Sequence, residues 1–104
     1  MENAYQEQYD KLLLRMTNQK SVVSKVIKSC TTEDHLNSIL VWIYNLWVAN
    51  RRMIQSSYDD LALFSRLSWI EYKMELEYFC NHYFYNDLSA EVKKQRLHTN
   101  TLKL

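Results

Sequence analysis

Apolar side chains along the first part of the chain recur in steps of four and three. Tyr5, Tyr9, Leu12, Met16, Val23, Val26 and Cys30 form the series, and polar Gln19 holds one place in it. That is the heptad seam of a helix packed lengthwise against others. Asn3 and Gln6 stand where the two ends of a capping box would stand. Acids come early (Glu2, Glu7, Asp10) and bases late (Lys11, Arg15, Lys20, Lys25, Lys28), an order that complements the helix dipole. Thr17-Asn18-Gln19-Lys20-Ser21 is a weak helix former, so a kink near Thr17–Ser21 and one continuous helix are both open.

A second helix is predicted from the Thr31-Thr32-Glu33-Asp34 start, where threonine can cap and acids suit the positive end. Its end is expected near Arg51 to Gln55. Wound at about 100° per residue, it carries Leu36, Leu40, Ile43, Trp47 and Ile54 on one stripe. Ile39, Trp42, Leu46 and Met53 flank that stripe. Val41, Tyr44 and Val48 fall toward the polar side, so the middle of this helix is apolar nearly all round and calls for contact on more than one side.

A third helix is predicted from a Ser57 cap, with Asp59 and Asp60 in its first turn, to Asn86. Constant winding gives it two opposed apolar faces. One holds Leu61, Trp69, Tyr72, Leu76, Phe79, Cys80 and Tyr83; the other holds Leu63, Leu67, Ile70, Met74, Tyr78 and Tyr85. Beyond it, Leu88, Val92 and Leu97 make a thin apolar edge, read as a short helix starting at Asp87 or Ser89 and fraying after His98. The expected fold is all-α: one domain over 1–104, a bundle of three long helices plus a short C-terminal helix.

Composition supports this and narrows the function. The 104 residues include no Gly and no Pro, which disfavours tight hairpins and excludes glycine-rich phosphate loops. No apolar run reaches the ~20 residues needed to cross a bilayer, and the polar start (Met1 to Gln6) is no signal peptide. A cytoplasmic, membrane-free protein is expected, with Cys30 and Cys80 as buried thiols. The wealth of Lys, Asn and Tyr is that of AT-rich coding, as in phages and mobile elements. On that reading the partner is a host protein, and inhibition or modulation is the mode of action.

Candidate chemistry is thin. Glu71, Glu75 and His82 share one strip of the third helix, but Glu75 and His82 lie about 10 Å apart in rise, too far for one metal ion without bridging groups. Cys80 sits on an apolar stripe, unlike a nucleophile, which needs a base and an electropositive setting. Neither enzyme activity nor a cofactor is expected. The run Lys11 to Lys28 holds five bases and no acid. Lys11, Arg15, Lys20, Lys25 and Lys28, with Lys93, Lys94 and Arg96 in the tail, are therefore the candidate phosphate contacts of an alternative, nucleic-acid-binding reading. Against it, the span from Asp59 to Asp87 has six acids and two bases. Of the fourteen aromatic residues, twelve lie between Trp42 and Tyr85. Trp and Tyr favour interface hot spots. The leading expectation is a small helical protein that self-associates and binds another protein. Val41, Tyr44, Val48, Leu63, Leu67, Ile70, Met74, Tyr78 and Tyr85 are its candidate contact residues.

Overall fold

The fold rests on a computed structural model that describes residues 2–61 and 66–102, with side chains described for 4–60 and 69–99. Leu61, Leu63 and Leu67 therefore carry predictions about side chains outside the described residues. Among the described residues the chain is helical throughout, with no strand. Helix α1 spans Glu2–Ser29 and α2 spans Glu33–Leu61. A third arm runs without a break through α3 (Arg66–Tyr78), a π-helical segment (Phe79–Asn86) and α4 (Asp87–Leu102). The last element thus continues the third arm and is not a separate short helix.

Several local expectations give way to better partners. Asn3 lies inside α1, and its side chain is outside the described residues; Gln6 donates to Asp10 and accepts from the Tyr72 hydroxyl. Helix α1 passes unbroken through Thr17–Ser21, because its polar side chains find acceptors: Thr17 Oγ1 donates to the Leu13 carbonyl, and Lys20 Nζ to Asp87. Thr32 does cap α2, its Oγ1 accepting from the His35 amide at 3.3 Å. Ser57 does not open a new helix. It lies within α2, buried on the stripe that Ile54 continues, and its hydroxyl accepts from Gln8 Nε2 at 2.7 Å.

The core is one cluster running the length of the molecule. Tyr5, Leu12, Met16, Val23 and Ile27 come from α1, and Cys30 from the residue just after it; Leu36, Ile39, Ile43 and Ile54 from α2; Trp69, Leu76, Cys80, Phe84, Leu88 and Val92 from the third arm. Ile27, not Val26, takes the penultimate place of the α1 seam, and Val26 is partly exposed. The polar member of the seam has a counterpart: Gln19 Oε1 accepts from Asn50 Nδ2 at 2.8 Å, and Arg15 Nε donates to Asn50 Oδ1 at 3.3 Å. Such a buried polar pair is costly if misaligned and so favours a single register between α1 and α2.

Cross-contacts fix the direction of each arm. Gln6 meets Tyr72, Lys20 meets Asp87, Ser24 meets Glu91, and the Cys30 carbonyl accepts from Gln95. The third arm therefore runs parallel to α1, with α2 antiparallel to both. The result is a rod of 59 × 17 × 15 Å.

Candidate functional site

The π-helical segment decides which side chains the third arm shows. Its i→i+5 pattern winds less per residue than an α-helix. On an α-helix each step of four drifts by about 40°. The ladder Leu76–Cys80–Phe84–Leu88–Val92 takes four such steps, which would carry Val92 about 160° from Leu76. The under-wound segment absorbs the drift, and all five are fully buried. Two tyrosines change places as a result. Tyr83, expected on the core face, is 49% exposed. Tyr85, expected on the outer face, is half-buried with its ring 5.0 Å from that of Trp47.

Outward rotation of Tyr83 completes a groove between α1 and the third arm. Tyr9 and Leu13 line it from α1; Met74, Glu75, Tyr78, Phe79 and Tyr83 line it from the other side, around a volume of about 400 Å³. Met74 (63% exposed) and Tyr78 (55%) form its outer lip. Tyr78 packs against both His82, at 4.3 Å between rings, and Tyr83, at 5.7 Å. The only charged side chain in the lining is Glu75, whose carboxylate lies near the Tyr9 hydroxyl. Burial and the neighbouring carboxylates of Glu75 and Asp10 push the Tyr9 hydroxyl above the ordinary tyrosine range. Met74 and Tyr78, expected on the second apolar face of the third helix, are exposed, whereas Ile70 of that face is half-buried. Periodicity missed Tyr9, Leu13, Phe79 and Tyr83 as groove residues, because α1 and the third arm meet only in the fold.

A second apolar surface lies on the other side of the third arm, where the π segment meets α2. Trp47 Nε1 and Arg51 Nη1 both donate to Asn81 Oδ1, at 2.9 and 3.0 Å, with the Arg51 guanidinium over the Trp47 ring. Outside this cluster a chain of rings runs from Tyr44 through Trp47 to Tyr85. Val41 (60% exposed) and Tyr44 (51%) are open to solvent, while Val48 and Ile70 are half-buried. Cys80 lies beneath, its thiol pushed up to about 11 chiefly by desolvation, so no nucleophile is available there near neutral pH.

Three of the candidate phosphate contacts are already engaged by other side chains. Lys20 is paired with Asp87 at 2.9 Å and Arg96 with Glu33 at 2.6 Å, and Arg15 is bonded to Asn50. Lys11, Lys25 and Lys93 are exposed. Lys28 and Lys94 share, with His98, a cleft that also holds Glu91. Glu71, Glu75 and His82 do not come together as ligands: Glu75 lines the groove, and the His82 ring packs on Tyr78. Among the described residues no group of His, Cys, Asp and Glu could hold a metal ion, and no helix is long and apolar enough to cross a membrane. Set against known protein families, known proteins and solved structures, the chain matches none.

Proposed function

We propose that this protein is a rigid helical scaffold for protein–protein contact, and that it self-associates through the outer surface of α2. The observation that carries this reading is the uncharged apolar surface of Val41 and Tyr44, continued by the Trp47 and Tyr85 rings. Of the two arginines that follow on α2, Arg51 is already engaged by Asn81 and Trp47, and Arg52 is exposed one turn beyond Val48, at the margin of this surface. A neutral apolar surface can face its own copy across a two-fold axis without opposing like charges. The shape suits it too: one side of a rod 59 Å long and 17 Å wide offers on the order of 1,000 Å² per copy, against the ~800 Å² per partner of a stable interface. A phage or mobile-element accessory that modulates a host factor is one setting for such a scaffold, suggested by composition alone.

The test is oligomeric state. Light scattering at micromolar concentration should give a dimer or larger species for the wild type. Val41→Lys with Tyr44→Lys should give a monomer of unchanged helix content, because two charges at one interface are costly to bury. A wild type that is monomeric at that concentration defeats the self-association.

A further inference from the structure

We propose that the groove between α1 and the third arm receives a basic amphipathic helix of a partner protein. This rests on the reading of the molecule as a protein-contact scaffold, but it concerns a different surface from the one assigned to self-association.

Charge selects the occupant. Glu75 lines the groove, Glu71 lies one helical turn before it, and Asp10 adjoins Tyr9. No lysine or arginine lines it; the bases flanking it along the rod, Lys20 and Lys73, are neutralised by Asp87 and Glu77. Two copies of this chain meeting groove to groove would oppose Glu75 with Glu75. A nucleic acid would bring phosphates to the same carboxylates. A cationic side chain meets both the carboxylates and the faces of exposed Tyr78 and Tyr83, where an ammonium or guanidinium gains a further attraction.

Shape selects a helix. From Met74 to Tyr83 the lining extends about 13 Å along the arm, which matches anchors at i, i+3 or i+4, and i+7 of a docked helix. Leu13 and Phe79 make an apolar floor, and Met74 on the lip is an unbranched side chain that can repack around different anchors. An amphipathic helix seated there would place its apolar stripe on Leu13, Met74 and Phe79 and its basic edge toward Glu71 and Glu75.

The experiment uses two fluorescein-labelled helical peptides of equal length with one leucine stripe, one with a lysine polar face and the other with a glutamate face. Fluorescence polarisation should show micromolar binding of the Leu/Lys peptide to the full-length protein and none of the Leu/Glu peptide. Glu71→Lys with Glu75→Lys should invert that preference. Tyr78→Ala with Met74→Ala should weaken Leu/Lys binding about tenfold or more, as truncating central contacts does. Asp34→Lys, at the far end of the rod, should change nothing, which separates the groove from general charge attraction. Circular dichroism checks that each variant is folded. Equal binding of both peptides, or an affinity unmoved by the Tyr78 and Met74 changes, overturns the assignment. The Val41→Lys, Tyr44→Lys protein should bind the peptide as the wild type does, so the groove and the self-association surface can fail independently.

Discussion

Helix α1 and the third arm lie side by side, run in the same direction and bury one stripe each, yet they hold that stripe in line by different means. In α1 and the residue that follows it, the buried residues are Tyr5, Leu12, Met16, Val23, Ile27 and Cys30. Their steps of seven, four and three nearly cancel, leaving a net drift of about 20° on an ideal helix. In the third arm the buried residues Trp69, Leu76, Cys80, Phe84, Leu88, Val92 and Thr99 would drift by about 120° if the helix were α throughout. One arm solves the problem in its sequence spacing and the other in its backbone. The second solution turns Tyr83 outward, and so the same local change that keeps the core aligned also builds the groove.

The sharpest way to break this comparison is to remove one residue from each arm. Deleting Asn18 should turn Val23, Ile27 and Cys30 about 100° away from the core. Losing three buried apolar side chains at ~1.5–3 kcal/mol each is comparable to the whole stability of a small domain, so thermal melts should lose their cooperative transition. Deleting His82 should convert the π segment to α-helix while keeping the ladder in phase, with helix content unchanged and a cost below about 2 kcal/mol. Equal damage from the two deletions would mean that the π segment does not act as a phase corrector.

A smaller effect separates neighbours. Phe84→Ala should cost about 3–5 kcal/mol in denaturant unfolding, since the ring is wholly buried. Tyr83→Ala should stay within about 1 kcal/mol, because its ring is half exposed. Constant α-helical winding assigns the core to Tyr83, so a larger loss at Tyr83 would reverse the phase described here.

The least effect is in pH. The Cys80 thiol has its folded pKa raised to about 11 from 9.0 by burial. The folded state therefore holds the proton more tightly, and stability from this group is complete below pH 9.0 and falls as pH rises toward 11. The loss should be on the order of 2 kcal/mol and should vanish in Cys80→Ala. A pH dependence that survives this substitution would place its origin elsewhere in the molecule.

Periodicity made α1 and α2 legible: the Leu36–Ile43–Ile54 stripe and the Leu12–Met16–Val23 seam are where the winding puts them. It misled at Ser57, whose residue type and following acids read as a cap although its place on the stripe after Ile54 buries it within α2. It also passed over Phe84, since a fixed 100° per residue cannot represent a π segment. The signal was present: Leu76, Cys80, Phe84, Leu88 and Val92 repeat at steps of four for longer than an α-helix can keep on one side. Met74 and Tyr78 were placed with Ile70 on a second apolar stripe by winding alone, and of the three Ile70 is half-buried. Asn50 was not readable as core, because only the facing Gln19 and Arg15 make its burial tolerable.

The parallel course of α1 and the third arm bears on how the chain finds its structure. Gln6–Tyr72, Lys20–Asp87, Ser24–Glu91 and Cys30–Gln95 are separated by 66, 67, 67 and 65 residues, nearly the same distance at every level of the rod. In a helical hairpin the enclosed loop lengthens with each contact away from the turn. Here every contact encloses a loop of the same size, so the entropy of closing it is incurred once, by whichever contact forms first. The others then follow with little further loss of chain freedom. Docking of the third arm is thereby a zipper with a single slow tooth, in which a partly seated arm has almost no range of stability and the interface forms whole or not at all.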